Sequence, residues 1–160
     1  MTIKECIDIV DQLKPNQYST FDKVRWLSQL DQNIMNDIIL THEEHFEDPH
    51  FRRWLHECRP RAIFRVIETD ADEESMDREV MENLPEYFRG YDAGDTGRML
   101  LAEPPYDELY VAYLKMKVDE ENGETARYNN SATMFNEHLL TYERYYNRTH
   151  MPYRSQFKIY

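Results

Sequence analysis

Apolar residues in the last third of the chain recur with helical spacing. Six of them between residues 128 and 146 are separated by steps of 4, 3, 4, 3 and 4, which places them along one side of an α-helix. Because a tyrosine has an apolar ring and a polar hydroxyl, this side favours a surface that is buried against a partner and stays partly hydrated. We call the set the tyrosine stripe: Tyr128, Ala132, Phe135, Leu139, Tyr142 and Tyr146.

The helical segment that contains the stripe is predicted to extend from residue 105 to residue 147. Pro105 suits a first helical turn, and Asp107 and Glu108 stand where the positive end of the helix dipole favours carboxylates. Pro152 marks the end of the segment.

Asn122-Gly123 interrupts this segment and leaves two structures open. The pair is a plausible helix stop, which would give a hairpin of two helices over 105–121 and 124–147. A glycine inside a helix costs only about 1 kcal/mol relative to alanine, so one long bent helix is the alternative.

Two amphipathic helices are predicted near the N-terminus. Residues 2–13 form the first, with Thr2 as N-cap and Glu5 completing a capping box. Ser19 or Thr20 begins the second, and Trp26 falls beside its apolar face, which comprises Phe21, Val24, Leu27, Leu30, Ile34 and Ile38. Their short connection predicts antiparallel neighbours.

The middle of the chain has mixed signals. Residues 62–68 and 98–105 have the composition of short strands that could pair, and residues 72–84 resemble a short acidic helix. Residues 85–97 contain three of the four glycines and are predicted to be turn and loop.

A length of 160 residues predicts one domain that can bury a core. We expect a mainly α fold: a helical bundle with a long C-terminal helix or helical hairpin, a small β-hairpin or irregular lobe inserted in the middle, and an extended C-terminal arm. The parts of this single domain are an N-terminal helix pair, an inserted lobe, a long helical segment and an arm, over residues 1–42, 43–95, 104–147 and 148–160.

The formal charge is −12, and it is unevenly distributed. Residues 148–160 include Arg148, Arg154 and Lys158 and no acid, and removing these three charges leaves −15 for residues 1–147. An acidic body argues against general nucleic-acid binding and favours protein partners. We expect the basic arm to extend along a neighbouring subunit, with a strand through Gln156–Tyr160 as one way of attachment.

Cys6 and Cys58 are too few for a disulfide framework, which favours a reducing compartment. No apolar run approaches the length of a membrane span, and the N-terminus lacks the pattern of a signal peptide. We therefore expect synthesis in the cytoplasm and no contact with a membrane.

Motifs for chemistry are weak. A zinc site could draw on His42, His45, His50, His56 and Cys58, but the spacing lacks the HExxH pattern, so we interpret the histidines as surface or loop residues. The acidic run from Asp70 lacks the glycine and glutamate of a calcium loop. Without a nucleophile motif or a glycine-rich phosphate loop, we expect no catalytic residue, no metal and no cofactor.

Asn129 and Asn130 are unusual in a helix because both have low helix propensity. Either they are solvent-facing amides, or one of them and Asn136 face a neighbouring helix and fix its register, as buried polar residues do in coiled coils.

Two stretches resemble a known family. Residues 14–43, with KPNQY and a closing THE, and residues 104–152, with PYDELY, RYNN and YNRTHMP, are similar to head-tail connector (adaptor) proteins of tailed bacteriophages and prophages. The resemblance implies a helical protein without catalytic residues. It also implies a homo-oligomeric ring, commonly of twelve subunits, that binds the portal protein and the tail or a second neck ring.

In that case the protein is a virion component of the neck, made in the host cytoplasm, with only incidental DNA contact. The alternative is an acidic soluble regulatory or DNA-mimic protein that binds a basic partner. The predicted interface residues are Tyr128, Asn129, Asn130, Phe135, Tyr142, Tyr146, Arg148, Tyr153, Arg154, Phe157 and Tyr160.

Overall fold

The computed structural model describes residues 1–42, 48–54, 57, 88 and 90–150. The mainly α prediction is confirmed. Within the described ranges there is no β-strand, and an isolated antiparallel bridge joins Thr2 to Met99. Residues 49–54 are helical, and the other helices are α1 (Ile3–Leu13), α2 (Thr20–Asp37), a 3-10 turn (Ile39–Thr41), α3 (Glu108–Glu121) and α4 (Thr125–Thr149).

Capping residues begin the two N-terminal helices. The Thr2 hydroxyl accepts from the N–H of Glu5 at 3.2 Å, and the Glu5 carboxylate accepts from the N–H of Thr2 at 2.8 Å. This is the predicted capping box, and it satisfies two N–H groups that a helix start leaves unpaired. Ser19, one of the two predicted caps, accepts from the N–H of Asp22 at 3.2 Å and begins α2.

The apolar face of α2 is buried except at Phe21, where the prediction was wrong. Phe21 is 62% exposed. At about 100° of rotation per residue, the nine positions from Phe21 to Leu30 place the two side chains on opposite sides of the helix. Because three residues span only about 300° of a helix, repeated steps of three drift away from the buried side. The apolar residues that are buried in α2 therefore begin at Val24.

α3 is the central helix. All six residues from Leu109 to Leu114 are buried, and α3 contacts α1, α2 and α4. A helix that is apolar all round is typical of such a position.

The chain breaks at Gly123, so the hairpin is the correct alternative. Gly123 has φ +70°, a conformation that side chains with a Cβ rarely adopt, and it separates α3 from α4. The predicted start was wrong: α3 begins at Glu108, and Pro105 lies before it in a turn after a cis Pro104-Pro105 bond.

The predicted strand over residues 98–105 was also wrong. Apart from the Thr2–Met99 bridge, these residues form no ladder, and Leu100, Leu101 and Ala102 are buried instead. Their apolar composition serves the core. The predicted strand at 62–68 and acidic helix at 72–84 lie outside the described residues.

Described residues of the predicted lobe contribute to the same core as the helices. Phe51, Trp54, Phe88 and Tyr91 are buried in it, and neighbouring rings in this group are 4.9 to 5.9 Å apart. The residues of 90–97 form the predicted turns and loop.

Candidate functional site

Asp31 is a fully buried carboxylate on α2. It accepts hydrogen bonds from the hydroxyls of Tyr91 and Tyr110 and, at 3.2 Å, from the N–H of Leu101. Trp54 donates from its indole nitrogen to the Tyr91 hydroxyl at 3.0 Å. These five residues, which we call the Asp31 network, join α2 to α3, to the helical residues 49–54 and to the segment 90–107 that precedes α3.

The low polarity around the network shifts the pKa values of its ionisable side chains. Burial raises the pKa of the Asp31 carboxyl to about 6, although the hydrogen bonds from Tyr110 and Tyr91 oppose this shift. Burial, and then the Asp31 charge, raises the pKa of both tyrosine hydroxyls. Each of the network's donors has an acceptor, so we interpret the network as a structural connection between these elements.

A second structural connection links α1 to the hairpin turn. Lys14 forms an ion pair with the buried carboxylate of Asp119, which also accepts from the Ser131 hydroxyl at 2.6 Å. The Tyr18 hydroxyl donates to the Asn122 side chain at 2.7 Å. Although burial acts to raise it, the pKa of Asp119 is lowered by the hydrogen bonds from Lys14 and Ser131 and by the Lys14 charge.

His42 follows the 3-10 turn and is buried, so a surface position was the wrong expectation for this histidine. Its Nδ1 lies 2.6 Å from the carbonyl oxygen of Ile38, and its Nε2 lies 2.8 Å from the side-chain amide of Asn147. The ring stands edge-on to Tyr146, with centroids 4.9 Å apart. Both nitrogens are engaged in joining the end of α2 to the end of α4.

Tyr146 has an unusual hydroxyl. The side chain is 1% exposed, yet within the described part of the chain the hydroxyl has no hydrogen-bond partner. His150 stacks on its ring at 3.9 Å, and the Nε2 of His150 lies 3.7 Å from the Asp48 carboxylate. Burial, followed by the Asp48 charge, raises the pKa of Tyr146. We call His42, Asp48, Tyr146, Asn147 and His150 the Tyr146 corner.

The tyrosine stripe packs α4 against the rest of the chain. Phe135, Tyr142 and Tyr146 are buried, and the other three members are half-buried. The Phe135 ring contacts Tyr113 of α3 at 5.1 Å between centroids. These three predicted interface residues are therefore buried within their own chain, where the stripe faces the central helix, and their role in an interface stays a prediction.

The other predicted interface residues remain on the surface or beyond the described part. Asn129, Asn130, Asn136 and Arg148 are exposed in the single chain, and Tyr128 is half-buried. Both interpretations of the asparagines stay open. Arg148 belongs to α4 and not to the arm, since α4 ends at Thr149. Tyr153, Arg154, Phe157 and Tyr160 lie outside the described residues.

A surface groove of about 280 Å³ lies between α2, α3 and α4. Its floor is apolar, and three exposed polar residues, Asn33, Asp37 and Glu143, line it as well. The floor residues are Leu30, Ile34, Ile38, Tyr113, Phe135 and Leu139.

The described residues contain no group of three or more histidine, cysteine or acidic side chains placed to hold a metal ion. Of the suggested zinc ligands, His50 lies 3.1 Å from the carbonyl oxygen of Leu100, and His45, His56 and Cys58 are outside the described part, as is the Asp70 run. Among the helices described here, none is both long and apolar enough to cross a bilayer.

Sequence reasoning missed the Asp31 network, although a signal was present. Asp31 stands four residues after Leu27 and three before Ile34, so it lies on the apolar face of α2. A carboxylate in that position needs buried donors, and tyrosines are suitable ones. The unbroken apolar run of α3 likewise indicated a central helix.

No protein-family model, curated protein or solved structure matches this chain.

Proposed function

We propose that the protein is a structural virion component, a head-tail connector that forms a ring below the portal and extends the DNA channel toward the tail. The observation that carries this proposal concerns the residues behind the family resemblance. They come from two stretches that are far apart in the sequence, and they contact one another in the fold.

Four of the five motifs supply a contact between the two stretches. Lys14 of KPNQY pairs with Asp119, and Tyr110 of PYDELY donates to Asp31. His42 of THE lies against the side chain of Asn147, the second residue of YNRTHMP. The motifs thus describe one helical unit, which supports a common architecture with the connector family. The groove and the exposed residues of α4 are left for contacts with other chains.

Charge supports the same proposal. A wall formed by a strongly acidic body repels phosphates, so DNA can pass without binding. No catalytic residue is part of the proposal, and its partners are further copies of the chain, the portal protein and the next neck or tail protein.

Electron microscopy tests the proposal. We expect the purified chain, alone or with the portal protein of the same virus, to form closed rings, and labelled virions to show it at the neck. A chain that remains monomeric or dimeric in the presence of portal contradicts the connector function. Tight binding of that chain to a basic nucleic-acid enzyme would instead favour the acidic regulator.

A further inference from the structure

The groove between α2, α3 and α4 has the properties of a peptide-binding site. Its floor consists of aliphatic and aromatic side chains, of which Leu139 is half-buried and the other five are buried beneath the surface of the groove. Apolar grooves between helices commonly bind an apolar segment of a partner.

The lining charges of the groove have a single sign. Asp37 from α2 and Glu143 from α4 are both exposed, and within the described residues neither forms an ion pair. Among the described lining residues, Asn33 and the hydroxyl of Tyr113 are polar and uncharged. A matching ligand therefore combines aromatic side chains with cations.

The last ten residues of this chain, MPYRSQFKIY, have that composition. They contain the aromatic residues Tyr153, Phe157 and Tyr160, the cations Arg154 and Lys158, and no acid. Elsewhere the chain is strongly acidic, so this segment is the part with charge opposite to a neighbouring copy.

We propose that residues 151–160 of one copy bind in the groove of a neighbouring copy, with the aromatic rings on the floor and the cations beside Asp37 and Glu143. The proposal rests on the proposed function. In a ring, each acidic chain must bind a second copy with the same net charge, and a basic segment provides the attraction that this requires. Strand addition through Gln156–Tyr160 stays the alternative way of attachment.

Reach alone permits a second arrangement. A ten-residue segment extends to about 33 Å, whereas Leu139 and Glu143 lie about 9 to 15 Å along α4 from its end at Thr149. The segment could therefore bind its own groove, and the experiment must separate the two.

A photo-crosslinking amino acid at Asn33 in the full-length chain provides that separation. Heavy-isotope and light chains are mixed, allowed to assemble and irradiated, and the crosslinked peptides are identified by mass spectrometry. We expect heavy–light crosslinks between position 33 and residues 151–160. The same amino acid at Gln12, which is exposed on α1, is the control and should give none.

Crosslinks within single chains only, or to another segment, overturn the proposal. Assembly is measured separately by mass photometry, so rings that form without these crosslinks contradict the docking site and leave the connector function standing. A chain that never associates, with or without portal, contradicts both.

Charge reversal gives an independent measurement. We expect the full-length D37K/E143K variant to need about tenfold higher concentration to assemble, because two attractive pairs become repulsive. Glu137→Lys is the matched control: it reverses an exposed charge on α4 that does not line the groove, and it should change assembly less than twofold. Equal effects of the two variants would contradict the proposal.

Discussion

The Asp31 network and the Tyr146 corner are both buried and polar, yet they differ in how well their groups are paired. Asp31 receives three hydrogen bonds and is fully enclosed. The Tyr146 hydroxyl is enclosed almost as completely and has no hydrogen-bond partner among the residues that the structure describes. In the network, polar groups connect separate elements. In the corner, the Tyr146 ring packs against His42 and His150, and its hydroxyl forms no hydrogen bond to the described residues.

The difference shows that burial alone does not measure the contribution of a polar group. A buried donor without an acceptor costs about 1–3 kcal/mol, whereas the pairs of a complete network each contribute about 1 kcal/mol. Substitutions at the two sites should therefore have opposite consequences, and this can be tested.

The largest effect is expected for Asp31→Leu. This change removes the acceptor for the hydroxyls of Tyr91 and Tyr110 and for the N–H of Leu101, and it should lower the free energy of unfolding by about 3–5 kcal/mol. Urea denaturation followed by circular dichroism measures it. Asp37→Leu, the same substitution at an exposed position of α2, should stay within about 0.5 kcal/mol. A similar loss of unfolding free energy in both variants would mean that the Asp31 network does not stabilise the fold.

The pH dependence of stability should reveal the same carboxyl. Its pKa is about 6 in the folded protein, above the value of about 3.9 in an unfolded chain, so the folded state holds the proton more tightly. The stability that this group contributes is complete below about pH 4 and is lost as the pH rises through 6, by about 1 to 3 kcal/mol.

Urea titrations of the unchanged protein and of Asp31→Asn over pH 4 to 7 isolate this contribution. Carboxylates with a lowered pKa, such as Asp119, change stability in the opposite direction but are common to both proteins. Parallel pH profiles would mean that Asp31 does not titrate in this range.

Removing one hydroxyl from each site gives a direct contrast of intermediate size. Tyr110→Phe loses the donor to Asp31 and the acceptor for the N–H of Ala102, and should cost about 1–3 kcal/mol. Tyr146→Phe should be neutral or stabilise the protein by up to about 1 kcal/mol, because its hydroxyl has no hydrogen-bond partner in the described ranges. Thermal and urea unfolding compare the two. An equal loss in both would indicate that Tyr146 has a hydrogen-bond partner in solution, such as an ordered water.

The smallest effect on stability is expected outside both sites, at the exposed Asn130. If it fixes helix register between chains, Asn130→Leu should alter the assembly state in sedimentation and leave far-ultraviolet circular dichroism unchanged. Glu137→Leu is the control for an added exposed leucine on the same helix. An unaltered assembly state would leave Asn130 as a solvent-facing amide.

Local signals in the sequence predicted much of the helical framework. The capping box at Thr2, the cap at Ser19 and the inward side of α4 were all readable, because each depends on residues within a few positions of one another. The break at Gly123 remained open, since a glycine is compatible with both a stop and a bend.

The candidate sites were less predictable because they depend on residues distant in sequence. Asp31 and Tyr110 are 79 positions apart, and His42 and Asn147 are 105 apart. Histidine composition suggested surface residues, while the fold buries His42 between the ends of two helices. The tyrosine stripe was correctly assigned to a buried surface, but the periodicity could not tell which chain covers it.

These long separations also bear on how the chain is made. α1 and α2 leave the ribosome before the residues that cover them have been synthesised. Lys14 pairs with Asp119 and His42 contacts Asn147, and both of these partners are 105 positions later in the chain. The hairpin of α3 and α4 is formed by contacts between two consecutive helices, so it can form as soon as both helices have emerged. We therefore expect α1 and α2 to complete their folding only after α4 has been synthesised, by packing against the hairpin of α3 and α4.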